Sequence, residues 1–207
     1  MANLRVLEHP LIKRDISVLR DHSTSSEDFR IVMRRLTSLM VGEVTMDLRL
    51  SPVRTKTPLE ETEGYVLADE IILVPVLRAG LGMLEAYLNL MPGARVGHIG
   101  LYRDEATLKP VDYYAKFPPN LSHSVVILLD PMLATGGSAA AAIGYLKARE
   151  AVNIRLNCIV AAPEGVSLLE KVHPDVKVFA AVLDRELNGN GYILPGLGDA
   201  GDRIFGT

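Results

Sequence analysis

The stretch Val125–Ile143, VVILLDPMLATGGSAAAAI, joins a short apolar run to an alanine-rich run through an acid, a proline and two glycines. Its first five residues have the length and composition of a strand buried on both faces. The strand must end at Asp130, because Pro131 has no N–H to donate to a neighbouring strand. The alanines after Ser138 favour a helix. The stretch therefore predicts a strand, a tight loop and a helix.

The same alternation recurs along the chain. Further strands are predicted at the apolar runs Ile71–Leu77, Val96–Tyr102, Leu156–Ala162 and Val176–Leu183. Helices are predicted between strands at Leu81–Leu90, Ser138–Arg149 and Glu164–Val172, and earlier in the chain after the capping-box spacing Thr24–Glu27. Apolar strands that alternate with helices predict an α/β fold with a parallel-sheet core and flanking helices. In such sheets ligands bind beyond the carboxyl ends of the strands.

Three segments depart from this alternation within what we expect to be a single domain spanning residues 1–207. Residues 52–65 are polar with two prolines and predict a β-arm. Residues 103–119 are long and polar, and we expect a flexible lid loop there. The C-terminal residues 184–207 are rich in glycine but carry interspersed apolar side chains, so both a frayed tail and an anchored loop stay open.

Composition excludes several classes of protein. The net charge of −3 and the pI of about 6.0 argue against a general nucleic-acid-binding surface. A single cysteine, Cys158, excludes an internal disulfide. No apolar run approaches the roughly 18 residues of a membrane span, and the N-terminus lacks the apolar core of a signal peptide. A cytoplasmic protein without a membrane partner is expected.

The loop after Asp130 has the chemistry of a phosphate site. The N–H groups of Ala134–Ser138 can converge on an anion, and the start of the following helix adds positive potential. Glycines let the main chain approach that anion closely. Asp130 can accept hydrogen bonds from two neighbouring hydroxyls of a sugar. One loop could thus hold a ribose and a phosphate, although an ordinary strand–turn–helix with Ser138 as N-cap is the alternative.

Other motifs are weaker. No G-x-x-x-x-G-K-[ST] sequence is present, which disfavours a P-loop nucleotidase. Gly80-Leu81-Gly82 nearly matches a dinucleotide fingerprint, but Glu85 stands at its third glycine position. Arg78, just before those glycines, suits a polyphosphate, although a surface arginine over a tight turn is the alternative. The five histidines show no metal-ligand spacing, and covalent catalysis has no strong candidate.

Residues 127–138, ILLDPMLATGGS, resemble the phosphoribosyl-pyrophosphate (PRPP) motif of type I phosphoribosyltransferases, in the form found in the uracil-specific members. Three further stretches agree with that branch: His9–Ile12 with Leu19–Asp21 at the N-terminus, Pro75–Gly80 at the pyrophosphate loop, and Gly191–Arg203 at the uracil loop. The resemblance runs nearly end to end, and the last motif is specific.

The resemblance implies a type I phosphoribosyltransferase fold and a reaction in which uracil and PRPP give UMP and pyrophosphate. Asp130 would hold the ribose hydroxyls, and Ala134–Ser138 would cradle the 5′-phosphate. Arg78 and Arg103 would meet the pyrophosphate, and Asp199 would lie near both PRPP and uracil. The residues implied for PRPP are Arg78, Arg103, Asp130, Pro131, Met132, Leu133, Ala134, Thr135, Gly136, Gly137, Ser138 and Asp199. Those implied for uracil are Ile193, Gly198, Asp199 and Ala200, within a hood at residues 184–207.

The resemblance also implies cofactors and partners. Many type I members have two adjacent acids at the strand end, whereas Pro131 takes the second place here, so Mg²⁺ would ride on PRPP rather than bind protein ligands directly. A homodimer or higher homo-oligomer is expected, and in some members GTP is an activator. Two alternatives remain: another base as substrate, and a PRPP-fold RNA-binding regulator of pyrimidine genes.

Overall fold

The computed structural model describes residues 3–103 and 110–207, and for residues 102, 103 and 110–112 it describes the main chain alone. The helices are α1 Pro10–Arg20, α2 Ser26–Thr45, α3 Leu81–Leu90, α4 Gly137–Lys147, α5 Pro163–Val172 and α6 Ala200–Phe205. The strands are β1 Leu4–Val6, β2 Leu50–Lys56, β3 Glu61–Leu67, β4 Glu70–Leu77, β5 Arg95–Val96, β6 His98–Arg103, β7 Pro110–Lys116, β8 Ser124–Leu129, β9 Met132–Leu133, β10 Asn153–Ala161, β11 Lys177–Leu183, β12 Glu186–Leu187 and β13 Ile193–Leu194. None of the helices in this described part is long and apolar enough to cross a bilayer.

The central sheet has the strand order β1-β11-β10-β8-β4-β6-β7, with β5 beside β4 and β9 beside β10. Every pairing is parallel except that of β7, which runs antiparallel to β6. The predicted parallel-sheet α/β fold is confirmed. Four of the five predicted strands are present with ends shifted by a few residues, and the fifth, Val96–Tyr102, is divided into β5 and β6. The strand that ends before Asp130 is β8, which lies between β10 and β4 near the middle of the sheet.

Helices cover both faces of this sheet. Along β8, Val125, Ile127 and Leu129 belong to the core cluster that includes α1, α2 and α3. Val126 and Leu128 belong to the cluster that includes α4 and α5. Because successive side chains of a strand point to opposite faces, a strand covered on both sides must be apolar throughout. This double cover explains the unbroken apolar runs in the sequence.

The cap of α2 lies one residue later than the sequence prediction. The Oγ of Ser25 accepts a hydrogen bond from the N–H of Asp28 at 3.1 Å, and its hydroxyl donates to the Asp28 carboxylate at 2.8 Å. Thr24 instead donates its hydroxyl to the carbonyl of Val18 at 2.7 Å. The capping box is therefore Ser25 with Asp28 rather than Thr24 with Glu27, because Thr24 is engaged by the preceding helix.

The segments that departed from the alternation are largely ordered into strands. β2 and β3 form a separate antiparallel hairpin that contains the predicted arm. Within the predicted lid, Pro110–Lys116 is a strand rather than a loop, and it covers the edge that β6 would otherwise leave unpaired. Residues 104–109 of that segment lie outside the described residues.

The C-terminal segment is not a frayed tail. β12 and β13 pair as a short hairpin, and α6 follows. Ile193, Leu197 and Ile204 are at most 5% exposed and join the core cluster on the side of α1, α2 and α3. The interspersed apolar side chains noted in the sequence are therefore the anchors of an ordered segment.

Candidate active site

A cavity of about 310 Å³ opens at the carboxyl ends of β4 and β8. Three stretches of sequence supply most of its lining, namely the end of β4 with the turn after it, the loop between β8 and α4 with the start of that helix, and the start of α6; Leu101 of β6 adds a fourth contact. Its lining residues are Val76, Leu77, Arg78, Ala79, Leu101, Asp130, Met132, Leu133, Ala134, Thr135, Gly136, Ser138, Ala139, Asp199 and Gly201. This is the edge of a parallel sheet at which ligands are expected.

Asp130 lies directly after β8. Its Oδ1 accepts a hydrogen bond from the N–H of Met132 at 3.2 Å, and its own N–H donates to the carbonyl of Asn157 at 3.2 Å. Burial raises the pKa of its carboxyl from 3.8 to about 6, and the hydrogen bond from Met132 opposes that rise. The carboxylate faces a cavity with little solvation, which is where a charge-assisted bond to a sugar hydroxyl is strong.

The chain leaves β8 at Pro131 but does not leave the sheet. The carbonyl of Pro131 accepts hydrogen bonds from the N–H groups of Ile159 and Val160 at 3.1 and 3.0 Å, and the short strand β9 then pairs with β10. The loop that follows is held by α5, because a Cβ on Gly165 would lie 2.4 Å from the carbonyl oxygen of Ala134. The loop therefore rests on the main chain at the start of α5.

The two glycines of this loop serve different purposes. Gly136 has φ +81°, and a Cβ there would lie 2.9 Å from the carbonyl oxygen of Gly165, so the fold itself requires glycine. At Gly137, the first residue of α4, a Cβ would meet Oγ1 of Thr135 at 3.7 Å and no closer atom of the described residues. No contact in the described part of the chain therefore requires glycine at that position.

The alternative in which Ser138 caps α4 is wrong. The N-cap of α4 is Gly136, which has no side chain to cap the helix, and the N–H of Gly137 makes a long hydrogen bond of 3.5 Å to Oγ1 of Thr135. Ser138 instead lines the cavity. The N–H groups of a helix N-terminus are a ready site for an anion, and the helix dipole adds to the attraction.

Arg78 reaches the cavity from the end of β4. The peptide between Leu77 and Arg78 is cis. Two residues later a Cβ on Gly80 would lie 2.3 Å from the carbonyl oxygen of Leu129, so Gly80 lets this turn pack against the end of β8. The guanidinium of Arg78 donates to Asp202 at 3.2 Å, and both side chains are about half exposed. Its guanidinium also lies over the ring of Phe205, 5.8 Å from the centroid. Arg78 is therefore positioned beside the cavity by contacts with α6.

The start of α6 closes the third side of the cavity. Asp199 is the N-cap of α6, and its Oδ1 accepts from the N–H of Asp202 at 2.9 Å. A Cβ on Gly201 would lie 4.0 Å from Nη2 of Arg78, and one on Gly191 would lie 3.7 Å from the methyl group of Thr135. The C-terminal segment thus contacts both of the other loops.

The structure brings most of the residues implied for PRPP together around one cavity, but Pro131 and Gly137 do not line it. Of the residues implied for uracil, Gly198 has φ +78° and does not line the cavity either. The side chains of Ile193 and Ala200 are buried in the core, so only their main-chain groups could meet a base. The main chain of Arg103 ends β6, and its side chain lies outside the described residues.

Sequence reasoning assigned no role to three charged residues that hold the C-terminal segment. Arg20 and Asp184 form an ion pair at 2.5 Å with the Asp184 side chain 3% exposed, and Arg203 donates to the main chain of α1. Asp184 had one local signal, because it follows the last strand of the central sheet. The arginines had none, since their partners lie more than 160 residues away.

In the part of the chain that the structure describes, no three His, Cys, Asp or Glu side chains cluster as a metal site. The carboxylates that line the cavity are those of Asp130 and Asp199. This donor set fits a Mg²⁺ ion that keeps most of its ligands from phosphate and water, which is how the ion is usually held beside phosphates.

Comparison with known proteins agrees with this geometry. Residues 6–207 match the sequence model of the family described as uracil phosphoribosyltransferase. The uracil phosphoribosyltransferases of Macrococcus caseolyticus and Bacillus thuringiensis are 54% and 52% identical over 208 residues, which is 100% of this chain and of each relative.

Solved structures give the same fold. A protein of Aquifex aeolicus is similar with a TM-score of 0.92 and 37% identity over 98% of this chain and 97% of that one. An adenine phosphoribosyl transferase from Trypanosoma brucei shares the fold with a TM-score of 0.61 and 15% identity, over 92% of this chain and 88% of that one. The chain belongs to the uracil phosphoribosyltransferase family.

Proposed function

We propose a site assignment for the reaction of this family, in which the protein transfers the 5-phosphoribosyl group of PRPP to N1 of uracil. The products are UMP and pyrophosphate, and the reaction serves pyrimidine salvage. The observation that carries the assignment is the single cavity at the sheet edge, because the phosphate loop, the Arg78 turn and the start of α6 all line it. Each of these three parts has the chemistry that one portion of the substrates requires.

The loop after β8 would hold the ribose 5-phosphate portion of PRPP. The phosphate would lie at the start of α4, where the N-cap residue Gly136 has no side chain to cap the helix and the helix dipole attracts an anion. The open space beside Gly137 supports a close approach of that phosphate to the main chain. The carboxylate of Asp130 would accept from the ribose hydroxyls and so fix the position of C1.

The turn after β4 would hold the leaving group. Breaking the bond between ribose C1 and pyrophosphate builds positive charge on the sugar and negative charge on the pyrophosphate. Arg78 would stabilise that negative charge, with Arg103 as its proposed partner from the end of β6. Fixed positive charge aimed at a developing anion is an effective form of catalysis, and it requires no protein nucleophile.

Mg²⁺ would be held chiefly by the pyrophosphate oxygens, with the carboxylates of Asp130 and Asp199 as the cavity's own acceptors, and it would neutralise the leaving group.

The start of α6 would hold the base. Main-chain groups of Ile193 and of Gly198–Ala200 would pair with the uracil edge, since the side chains of Ile193 and Ala200 are buried. The proton of uracil N1 would pass to Asp199 or to the leaving pyrophosphate, and both routes remain open.

We also propose a homo-oligomer in the cytoplasm. The hairpin of β2 and β3 stands apart from the central sheet and exposes apolar side chains, among them Leu59 and Tyr65 at 95% and 61%. Such a patch on a hairpin that belongs to no core is typical of a surface that another protein copy covers. Activation by GTP stays a prediction from the family resemblance.

The test is a UMP-formation assay with the purified protein, PRPP and Mg²⁺, comparing uracil with cytosine, orotate and hypoxanthine. We expect turnover with uracil alone, and loss of turnover when EDTA removes Mg²⁺. Turnover with a different base would contradict the assignment of the C-terminal segment to uracil. Binding of PRPP without turnover on any base would contradict the assignment of catalysis and favour a PRPP-sensing regulator.

A further inference from the structure

The main chain of Gly196 is held on both sides by a buried ion pair. One oxygen of Asp184 accepts from the N–H of Gly196 at 2.8 Å, and a guanidinium N–H of Arg20 donates to the carbonyl of Gly196 at 3.1 Å. Arg20 and Asp184 bond each other through two hydrogen bonds, at 3.0 and 2.5 Å. A two-pronged arginine–carboxylate pair fixes orientation as well as distance.

We call the pair of Arg20 and Asp184 the clamp. It lies outside the cavity but holds Gly196, which leads to the cavity-lining residue Asp199. Gly196 has φ +61°, and a Cβ there would lie 2.2 Å from the carbonyl oxygen of Ile193. The turn is therefore tight, and it lies only two residues before Gly198 and three before Asp199, which caps α6 beside the cavity. A shift of Gly196 would move both.

A second arginine secures the same stretch from the far side. Arg203 donates to the carbonyl of Leu197 at 3.0 Å, to that of Asp21 at 2.6 Å and to that of Leu19. Its guanidinium also lies over the ring of Phe29, 4.5 Å from the centroid. Gly196 is thus tied to the end of α1 by Arg20, and Leu197 is tied to it through Arg203, although α1 contributes nothing to the cavity lining.

We propose that Arg20 and Asp184 are positioning residues for base recognition, which hold the Gly196–Asp199 main chain in the geometry that selects uracil. The inference rests on the proposed function, which assigns this stretch to the base. Main-chain groups cannot be re-aimed by a rotamer change, so their selectivity depends on what fixes the backbone. A site built on hydrogen bonds discriminates strongly only if its donors and acceptors are held in register.

The experiment is steady-state kinetics of Arg20→Met, with uracil and PRPP varied separately. Loss of the bonds from Arg20 leaves the phosphate loop and Arg78 in place and, of the residues assigned to PRPP, disturbs only Asp199. We therefore expect the KM for uracil to rise by about tenfold or more and the KM for PRPP to change several-fold less. The ratio of kcat/KM for uracil to that for cytosine should fall by about tenfold. The KM of Arg20→Lys for uracil should lie between those of the unmodified protein and Arg20→Met. An ammonium group keeps the charge but cannot bond the carboxylate and the Gly196 carbonyl with the planar fork of a guanidinium.

A matched control is Arg35→Met. Arg35 bonds the fully buried carboxylate of Asp15 through two hydrogen bonds of 2.8 Å, and it ties α2 to α1 without touching the C-terminal segment. The substitution Arg35→Met should lower the melting temperature while leaving the KM for uracil within about twofold of its original value. If Arg20→Met leaves an unpaired Asp184 and does not fold, the double variant Arg20→Met/Asp184→Asn removes both charges and keeps an acceptor for the N–H of Gly196.

The outcomes separate the two proposals. A uracil-specific KM change in Arg20→Met or in the double variant, absent in Arg35→Met, supports the positioning role. Equal effects on both substrates, or the same behaviour in Arg20→Met and Arg35→Met, overturn it and leave a purely structural ion pair. If the unmodified protein forms no UMP from uracil, the proposed function fails first, and that result is recognised before any variant is compared.

Discussion

The phosphate loop at Asp130–Ser138 and the base loop at Ile193–Ala200 face one cavity, but they are held in place by opposite means. The phosphate loop lies between a strand and a helix that are its immediate neighbours in sequence, and it contacts the backbone at the start of α5. The base loop is tied by Arg20, which is more than 170 residues away along the chain, and by Arg203, whose guanidinium bonds Leu197 in the loop and the equally distant carbonyls of Leu19 and Asp21.

This difference separates two ways of building a binding site. A strand–loop–helix unit positions its own N–H groups, because the helix start and the strand end fix the loop between them. A short segment near the C-terminus has no long strand and helix directly beside it, so contacts with elements distant in sequence must fix its position. We therefore expect changes on the open side of the phosphate loop to act on PRPP, and changes where a loop contacts its supporting elements to act through the fold.

The largest effect is expected at the phosphate loop for Gly137→Val. A Cβ there meets only Thr135 within the chain, so the fold should tolerate the branched side chain while the space for an anion is lost. PRPP affinity measured by calorimetry should fall by about a hundredfold or more, which is roughly 2.7 kcal/mol. Gly144→Val is the control in the same helix, since a Cβ at Gly144 meets nothing within 4 Å. Retained PRPP affinity in Gly137→Val would remove the anion site from this position.

The neighbouring glycine should give the opposite result. Gly136→Ala places a Cβ at φ +81° and within about 3 Å of the Gly165 main chain, so strain appears whether or not PRPP is bound. Thermal or denaturant unfolding should show a loss of roughly 1–3 kcal/mol. Equal stability of Gly136→Ala and the unmodified protein would show that α5 does not constrain the loop.

The substitution Asp130→Asn removes one charge from the phosphate loop and compares its effect on PRPP with its effect on uracil. The amide keeps the shape but loses charge-assisted acceptance from the ribose hydroxyls, so kcat/KM for PRPP should fall by about 10- to 100-fold. The KM for uracil should change little if the two loops are held independently. A change in the two KM values of similar size would contradict that independence.

The same carboxyl should make stability depend on pH. Its folded-state pKa of about 6 lies above the ordinary value of 3.8, so the folded protein binds this proton more tightly than the unfolded chain does. The contribution to stability is therefore fully present below pH 3.8 and is lost as the pH rises through about 6. We expect the melting temperature of ligand-free Asp130→Asn to rise relative to that of the unmodified protein as the pH is raised from 4 to 7, because the asparagine stays uncharged. A constant difference across that range would refute the link between burial and the pKa of Asp130.

The smallest effect is expected where the two regions meet, at the ion pair of Arg78 with Asp202. Both side chains are about half exposed, and such surface pairs contribute about 0.2–1 kcal/mol. Asp202→Asn should release Arg78 for the pyrophosphate and raise PRPP affinity by about two- to fivefold at low salt, with less effect at high salt. Weaker PRPP binding in this variant would mean that Asp202 holds Arg78 in its working position.

The sequence determined the parallel α/β sheet and the strand–loop–helix unit after Asp130, because both depend on local signals. Apolar runs covered on both faces, the proline after Asp130 and the paired glycines all act within a few residues of where they stand. The sequence also indicated that the C-terminal segment is anchored, through apolar side chains such as Ile193 and Ile204. It misplaced the cap of α2, where Thr24 is engaged by α1.

Only the tertiary structure decided how the base loop is held. Neither Arg20 nor Arg203 carries a local signal, since each bonds main-chain carbonyls that any residue type provides. The strand Pro110–Lys116 likewise depends on the edge of β6, which exists only once the sheet has formed. Backbone groups carry no sequence identity, so a site positioned through them becomes visible only when distant parts of the chain are brought together.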